Sequence, residues 1–335
     1  MARLRKLHLA ALRLRVSSYK LVLFRKIREE GEFVIVYREL KSVERDLGFC
    51  AGTLYGISNN LERHYRNAFI PKKDGTKRKL SVPDFILKKV QKSIYVNILS
   101  YYPVSRFAYG YVYGTSVQKN AAVHIGRKKI LKLDIEGFFD NISYSQVKDK
   151  VFYKEKFSEP VRILLTMLCY YRDALPQGAP SSPAITNIIM YDFDESVGAF
   201  CEERGVAYTR YCDDMTFSGA FDEKEIISFV KSKLKTLNLF LKNRKTKVVP
   251  CSARQTVTGI VVNEKVNLAK EYKKTIRREM YFIRKFGIDA HISRIGLTDK
   301  RKYLASLRGR VSYVLQTVPG SAEFSEYKKI LSKTY

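Results

Sequence analysis

The sequence predicts an α+β protein with two or three subdomains, and three observations support this fold class. The chain has 335 residues and is 45% apolar, which is enough for a substantial core. Short apolar segments bounded by Gly, Pro and Asp are typical of strands and hairpins, whereas longer segments with apolar residues three or four apart are typical of helices. Both patterns occur along the chain without an internal repeat, which indicates a globular protein rather than a fibrous or disordered one.

The charge of the chain is strongly positive. Lys and Arg number 62 against 33 Asp and Glu, a formal net charge of +29, and the excess extends from end to end. Such a surface attracts polyanions in a salt-dependent manner. The 23 Tyr and 19 Phe supply rings on which bases can stack. A nucleic-acid partner is therefore a better interpretation than a basic protein that uses its charge only for solubility.

Cysteine usage and hydropathy indicate the compartment. The five cysteines occur singly, so neither a zinc cluster nor a disulfide framework is indicated, and a reducing, cytoplasmic location is expected. No apolar run approaches the length of a membrane span and no secretory signal is found, so we expect no membrane partner. The first 28 residues are basic and acid-free, and they predict a helix with Leu7, Ala11, Leu14 and Leu21 on its apolar side.

Residues 1–60 are expected to be mainly helical, and a candidate ligand-binding feature follows them. Residues 69–80 contain Asp74-Gly75 between basic flanks, which predicts a β-hairpin whose arms carry Lys72 and Arg78. Such a ribbon could close over the phosphates of a nucleotide. A solvated hairpin with Lys along an exposed edge is the alternative. A helix is expected next, over residues 84–99.

Two polar residues then follow within apolar surroundings. His124 has no carboxylate or thiol at metal-ligand spacing and is interpreted as a hydrogen-bonding residue. Residues 129–134 predict an apolar strand that ends in Asp134, with an aromatic pair after it. Asp140 is expected to cap the next helix.

Residues 175–183, rich in Pro, Gly and Ser, predict a loop that leads into an apolar helix over residues 184–200. A loop of small residues at a helix N-terminus can accommodate a close ligand and offer backbone donors. A plain Pro-rich connection before a core helix is an alternative of comparable weight.

The segment Tyr211-Cys212-Asp213-Asp214 is flanked by apolar residues and predicts a hairpin with two acids at its tip. Successive strand side chains point to opposite faces, so only a tight turn brings both carboxylates toward one cation. Asp134 could share that cation if its strand is a neighbour in the same sheet. Ordinary turn chemistry, in which Asp bonds its own backbone, is the alternative.

The remainder of the chain predicts five further elements. They are a helix over residues 223–238, strands at residues 248–249 and 256–262, a helix with Tyr272, Ile276, Met280 and Ile283 on one face, and a final helix over residues 299–316. The apolar stripes of these helices are expected to form core. Their basic faces could be solvated or could hold a duplex, and the total charge of +29 favours the duplex.

In this order, the pieces resemble the reverse transcriptases. The matching features are the basic hairpin, the strand-end Asp134, the Pro-Gln-Gly-x-Pro-x-Ser-Pro loop at residues 176–183, the Tyr-x-Asp-Asp hairpin and a downstream Lys, within residues 69–262. Asn-Ala-x-x-His at residues 120–124 and Val-Thr-Gly at residues 257–259 resemble the bacterial retron reverse transcriptases. Cys212 departs from the small Ala often found there, and its neutral thiol is assigned to packing.

The resemblance implies a right-hand polymerase with fingers, a palm of antiparallel sheet plus helices, and a helical thumb. The implied domains are a helical N-terminal region (1–60), fingers with the start of the palm (61–130), the palm (131–265, with a fingers segment at about 145–180) and the thumb (266–335).

The resemblance also implies roles in the chemistry. Asp134, Asp213 and Asp214, with the backbone carbonyl of Ile135, would hold two divalent ions, Mg²⁺ or alternatively Mn²⁺. Lys245 would be an acid near the leaving pyrophosphate, with Lys242 and Lys247 as alternatives.

Binding roles are implied in the same way. The implied nucleotide-binding residues are Lys72, Arg78, Phe139, Gln177 and Gly178. Among these, Phe139 would be the gate that excludes a 2′-hydroxyl group. The implied RNA-recognition residues are Asn120, His124, Val257, Thr258 and Gly259.

For function, the resemblance implies an RNA-directed DNA polymerase that uses deoxynucleoside triphosphates. It would copy part of a cognate non-coding RNA (msr–msd) into msDNA, starting from the 2′-hydroxyl of a guanosine. An anti-phage role with an effector or toxin protein is implied as well, and a separate host RNase H would remove the copied RNA.

Three other functions are weighed against this one. A group II intron-like or other defence-associated reverse transcriptase is the nearest enzymatic alternative. An RNA-binding scaffold with a dispensable catalytic site shares the +29 charge but does not require all three acids. A metal-dependent nuclease is disfavoured, because no acid or His cluster beyond this set supports it.

Overall fold

The structure of the chain is a computed structural model that describes residues 37–71 and 75–333. The predicted basic helix of the first 28 residues and Lys72 lie outside the described residues. Helices and antiparallel β-structure are both present, so the α+β prediction is confirmed.

The bounds of the elements follow the chain order. The helices are α1 (Leu40–Leu47), α2 (Ala51–Ser58), α3 (Leu61–His64), α4 (Phe85–Asn97), α5 (Val117–Ala122), α6 (Tyr144–Gln146), α7 (Glu159–Cys169), α8 (Ser182–Ile189), α9 (Tyr191–Glu202), α10 (Glu223–Lys235), α11 (Lys270–Phe286), α12 (Ile288–Arg294), α13 (Lys300–Thr317) and α14 (Ala322–Lys333). The strands are β1 (Tyr65–Pro71), β2 (Lys77–Pro83), β3 (Lys129–Asp134), β4 (Ala207–Tyr211), β5 (Asp214–Gly219), β6 (Lys247–Pro250), β7 (Thr256–Val257) and β8 (Ile260–Val261). None of the helices among the described residues is both long and apolar enough to cross a bilayer.

A four-stranded antiparallel sheet forms the centre of the molecule, with strand order β4-β5-β3-β6. Its two inner strands, β3 and β5, are largely buried, and in β5 every residue after Asp214 is buried. The register sets Leu131 opposite Phe217 and Asp134 opposite Asp214. The predicted strand ending in Asp134 is therefore a direct neighbour of the predicted acidic hairpin.

Helices α9 and α10 pack beneath this sheet. Phe200 of α9 stacks on Phe229 of α10 with ring centroids 3.8 Å apart, and Tyr208 stacks on Phe217 within the sheet. A Cβ atom added at Gly198 would lie 1.9 Å from the Phe107 ring, so α9 approaches that ring as closely as a residue without a side chain allows. This contact joins the segment before β3 to the helical layer.

The prediction of one helix over residues 184–200 is wrong in one respect, because the structure has two helices there. α8 ends at Ile189, and Met190, with φ −86° and ψ 0°, leaves the helical conformation before α9 begins. Apolar spacing continues through the break, so the sequence carries no sign of it. The break directs Asn187 of α8 and Asp194 of α9 toward the same buried guanidinium group.

The basic hairpin and the helix after it are as predicted, whereas the predicted helix cap at Asp140 is wrong. β1 and β2 form a ribbon in which Ile70 lies opposite Arg78, and Asp84 caps α4 by accepting a hydrogen bond from the Leu87 amide. Asp140 does not cap the next helix. Ser143 caps α6 instead, in a reciprocal capping box with Gln146.

The C-terminal helices α11 to α14 have a hydrophobic core of their own. Ile276, Met280 and Ile283 are buried in it, as their spacing predicts. The helix over residues 299–316 is not the last one, because α14 follows it. Gln118 of α5 donates a hydrogen bond to Thr317 of α13 (3.2 Å), which links this helical unit to the rest of the chain.

Candidate active site

The three predicted acids lie at one end of the central sheet. Asp134 ends β3 and is 4% exposed, Asp214 begins β5 directly opposite it, and Asp213 is in the turn between β4 and β5. Cys212 takes a left-handed conformation (φ 61°), which makes this turn tight. The Ile135 amide donates to the Asp213 carbonyl (3.1 Å), so the turn is bonded to the chain that leaves β3.

Negative charge is concentrated at this end of the sheet. Limited hydration of the Asp214 carboxyl group, the charges of Asp213 and Asp134 and a hydrogen bond to Asp134 together raise the pKa of Asp214 to about 6. Asp214 is nevertheless an exposed residue at the start of β5. The site therefore holds more negative charge than its own side chains neutralise.

Lys245 is the lysine of the downstream segment whose ammonium group meets the acids. It ends a 3₁₀ turn (Asn243–Lys245) before β6, and its Nζ forms an ion pair with the buried carboxylate of Asp134. Burial lowers the pKa of Lys245, but the hydrogen bond to Asp134 and the charges of the three acids raise it by more. Lys242 bonds to Asp134 only through its backbone amide, and Lys247 lies opposite Lys132.

The carboxylates suit a divalent cation, since hard oxygen ligands are what Mg²⁺ prefers. In the described part of the chain, no three His, Cys, Asp or Glu side chains form a metal-binding cluster. Asp134 and Asp214 nevertheless share a hydrogen bond, and Lys245 supplies the nearest positive charge. Two touching carboxyl groups with one ammonium counterion fit a cation site, and Asp213 adds charge from the adjoining position.

A buried network that sequence reasoning missed holds the acidic turn. The Arg210 guanidinium donates two hydrogen bonds to Asp194 (2.8 and 2.6 Å), one to Asn187 (3.1 Å) and one to the Cys212 carbonyl (3.0 Å). Tyr208 also donates to Asp194 (2.9 Å), and both members of the ion pair have fully buried side chains. The network joins α8, α9 and β4 to the residue before Asp213.

Gly110 supports the same turn from the other side. A Cβ atom at this position would lie 2.5 Å from the Cys212 amide nitrogen, so no side chain fits. The Arg210 amide donates to Phe107 (2.8 Å) and the Tyr109 amide donates to Arg210 (2.7 Å), which aligns this segment along the outer edge of β4. The Tyr111 hydroxyl bonds to the Cys212 sulfur. Burial raises the pKa of the Cys212 thiol to about 12, which agrees with a neutral packing role.

The residues expected to bind a nucleotide lie on two elements that touch each other. The Ser81 amide of β2 donates to the Gln177 carbonyl (2.9 Å), and Gly178, with φ 128°, packs so closely on Ser81 that a Cβ atom would clash. Arg78 is exposed on the same β2 strand. Phe139 is half-buried, and its carbonyl accepts a hydrogen bond from the Leu175 amide (3.0 Å). The loop, the ribbon and Phe139 are therefore connected.

The expectation that five residues recognise RNA needs correction for three of them. Asn120, His124 and Val257 are at most 1% exposed, so their side chains are not available to a bound RNA. His124 instead bonds Ser218 (2.7 Å) and Thr209 (2.8 Å), which confirms the hydrogen-bonding interpretation. Thr258, in a left-handed conformation, and the exposed Gly259 form the β7–β8 turn and stay candidates for direct contact.

Comparison with known proteins shows what the chain resembles. The family model described as reverse transcriptase (RNA-dependent DNA polymerase) matches residues 70–277. The retron Mx65 reverse transcriptase of Myxococcus xanthus is 30% identical over 315 residues, covering 86% of this chain and 70% of that protein. The retron Ec86 reverse transcriptase of Escherichia coli is 34% identical over 253 residues, covering 74% and 79%.

Among solved structures, a foamy viral protease–reverse transcriptase in complex with double-stranded DNA is similar with a TM-score of 0.48. It is 17% identical to this chain, and the match covers 80% of this chain and 38% of that one.

Removing the charge of Asp194 should destabilise the fold. In Asp194→Asn the buried Arg210 charge loses its counterion, and we expect the free energy of unfolding to fall by about 3–5 kcal/mol. Urea unfolding followed by circular dichroism measures this. Asp192→Asn makes the same change on an exposed face of α9 and should leave the midpoint nearly unchanged. Equal midpoints for both variants would contradict the proposed role of the network.

His124 should make the fold sensitive to acid. Burial and the nearby charge of Arg127 lower the pKa of His124 from 6.5 to about 3. Between these two pH values His124 is therefore protonated in the unfolded state and neutral in the folded state. Stability should therefore fall by about 1.4 kcal/mol per pH unit between pH 6.5 and about 3. Between pH 7 and pH 5 the wild type should lose about 2 kcal/mol more than His124→Gln does. The same loss in both proteins would show that His124 is not the titrating group.

Proposed function

Because the chain belongs to the reverse transcriptases, and among them to the retron reverse transcriptases, we propose that this RNA-directed DNA polymerase copies part of a cognate structured non-coding RNA, its msr–msd transcript, into msDNA. Synthesis starts from the 2′-hydroxyl of a guanosine in that RNA. The observation that carries the proposal is the register of the central sheet, which sets Asp134 against Asp214 beside the Asp213 turn.

Asp134, Asp213 and Asp214 provide the negative charge for phosphoryl transfer. Two Mg²⁺ ions, or Mn²⁺ in their place, held by these acids and the Ile135 carbonyl would activate the primer hydroxyl and neutralise the triphosphate. The Arg210 network keeps the turn rigid, which limits the reorganisation needed at the moment of reaction. The raised pKa of Asp214 supports this role, since it reflects burial of the carboxyl group together with the negative charges of Asp213 and Asp134.

Binding of the incoming deoxynucleoside triphosphate is assigned to the connected loop and ribbon. Gln177 and Gly178 position the nucleotide and the template base, and Arg78 and Lys72 bind the phosphates. Phe139 lies beneath the sugar and leaves no room for a 2′-hydroxyl group. The backbone bonds from the loop to Ser81 and to Phe139 support this assignment, because they hold the three contacts in one frame.

Lys245 is assigned to the leaving pyrophosphate. Its ion pair with Asp134 supports this choice over Lys242 and Lys247. The triphosphate can take over the ammonium group from Asp134 when the acid binds a cation instead. In the unliganded site the acids raise the pKa of Lys245 and so keep its ammonium group protonated, which makes a proton available for the leaving pyrophosphate.

The proposed cellular role is motivated by the family resemblance rather than by the geometry. RNA and DNA are the nucleic-acid partners of a reverse transcriptase. We propose further that enzyme and msDNA restrain an effector or toxin protein in an anti-phage system, and that a host RNase H removes the copied RNA. Purification with the native flanking DNA tests the msDNA assignment. A co-purifying DNA joined to RNA through a branch supports it, and unbranched DNA argues for another class of reverse transcriptase.

Substitution of the acids distinguishes the enzymatic function from that of an RNA-binding scaffold. Asp213→Asn with Asp214→Asn should lower the rate of nucleotide addition by more than about 100-fold, because transition-state stabilisation is lost. Primer extension with a labelled deoxynucleotide measures the rate, and filter binding at fixed salt measures RNA affinity, which should change little. Asp192→Asn with Glu195→Gln removes the same charge from α9 and should extend primers normally. Unimpaired extension by the Asp213/Asp214 variant would overturn the assignment.

Phe139 should control the choice of sugar. Phe139→Val opens space beside the sugar, and we expect the preference for a deoxynucleotide over a ribonucleotide to fall by about 10- to 200-fold. The ratio of kcat/KM for dATP and ATP in single-nucleotide extension measures this preference. Phe240→Val makes the same change at a 55% exposed ring and should leave the ratio unaltered. A ratio that does not respond to Phe139→Val would remove Phe139 from the proposed role.

A further inference from the structure

An open cleft lies between helices α11, α12 and α13, apart from the carboxylate site. This C-terminal cleft has a volume of about 470 Å³. Residues from all three helices line it, among them Arg278, Phe282, His291, Arg294, Tyr303 and Arg310. This volume is within the usual range for sites that bind small ligands or single nucleotides.

The floor of the C-terminal cleft is a hydrogen-bonded polar network. Arg310 donates two hydrogen bonds to Glu279 (2.7 and 2.6 Å), so that this acid is already neutralised. The Tyr303 hydroxyl donates to Glu279 (2.8 Å) and lies 3.0 Å from Nε2 of His291. A hydroxyl group has one proton, and Tyr303 uses it on Glu279, so Nε2 of His291 must donate to Tyr303.

In the neutral imidazole, this bonding pattern leaves Nδ1 of His291 as an acceptor. His291 is 4% exposed, and neither its Nδ1 nor the Nε of Arg310 has a hydrogen-bond partner among the described residues. Buried polar atoms without partners are uncommon in folded proteins, and each one is costly. Both residues line the cleft, so an acceptor and a donor without partners lie directly beneath its surface.

The rim of the C-terminal cleft is cationic and aromatic. Arg278 and Arg294 are exposed, and within the described ranges neither forms an ion pair. The Arg294 guanidinium lies 4.4 Å from the Phe282 ring centroid, and Phe282 stacks on His291 with an interplanar angle of 9°. Because Glu279 is offset by Arg310, the two rim arginines are uncompensated. An anion attached to a flat ring fits this surface.

We propose that the C-terminal cleft binds one unpaired nucleotide of an RNA strand. Its phosphate lies between Arg278 and Arg294, its base stacks against Phe282, and an N–H or hydroxyl group donates to Nδ1 of His291. This inference rests on the proposed function, which supplies the RNA. The cleft contains none of the three acids, so it anchors RNA away from the reaction and acts on affinity.

Matched charge removals test the rim. Arg278→Ala with Arg294→Ala should weaken binding of a fluorescein-labelled oligouridylate by about tenfold in fluorescence anisotropy at fixed salt, without metal or nucleotide. Lys274→Ala with Arg301→Ala removes the same charge from exposed positions on α11 and α13 and should weaken binding by less than about threefold. Equal effects of the two pairs would overturn the proposal, because they would reduce it to general charge attraction.

Removal of the ring tests stacking. Phe282→Leu keeps an apolar side chain but no aromatic face, and we expect oligouridylate affinity to fall by about 5- to 150-fold. Saturation-transfer NMR with uridine monophosphate should show transfer to the base protons in the wild type and not in Phe282→Leu. The proposal would be overturned if the base signals persisted in Phe282→Leu. It would also be overturned if inorganic phosphate at equal concentration abolished them, because the cleft would then bind the phosphate group without recognising the base.

Two controls keep these outcomes interpretable. Thermal unfolding of each variant shows whether it has folded, and the exposed arginine pair carries the test if Phe282→Leu has not. Primer extension by the unchanged protein tests the proposed function separately. A wild type that extends no primer defeats that function, whereas extension together with unaltered RNA binding by the cleft variants defeats only this inference.

Discussion

The buried ion pair between Arg210 and Asp194 is the interaction on which the arrangement of the site depends. Neither side chain is exposed, and charges in such surroundings are tolerated only when they are paired and fully hydrogen-bonded. A planar guanidinium group can bond Asp194, Asn187 and the Cys212 carbonyl at the same time, whereas a lysine ammonium group has one donor centre. Two helices and the acidic turn are therefore positioned by one rigid group.

Local sequence patterns were enough to predict the strands and turns that carry the acids. They were not enough to predict the strand pairing and the buried ion pair that hold these strands and turns in place. Asp134 ends an apolar run, and Asp213 and Asp214 follow another, so short-range spacing shows both. Whether the two strands pair, and in which register, depends on contacts across the whole chain. Arg210 and Asp194 are 16 residues apart and each is unremarkable in its own segment, so no pattern connects them.

The other differences between prediction and structure have the same origin. Apolar spacing continues across Met190, although the backbone there leaves the helix. Asn120 and His124 belong to a motif that resembles a family signature, yet a motif does not say whether its side chains face a ligand or the core. Here they face the core. The choice among Lys242, Lys245 and Lys247 was open in the sequence because all three are close together, and only the ion pair with Asp134 separates them.

The segment that ends at Gly110 affects whether copies of the protein can pair through the edges of their central sheets. β4 is an outer strand of the central sheet, and the backbone bonds between Arg210 and residues 107 and 109 occupy its free edge. The opposite outer strand, β6, carries Lys247 and Pro250, residue types that discourage further pairing. A protein that gathers on a polyanion reaches high local concentration, where open strand edges seed aggregation. Both outer strands are therefore disfavoured for edge-to-edge pairing, which lowers the risk of aggregation when several copies bind one nucleic acid.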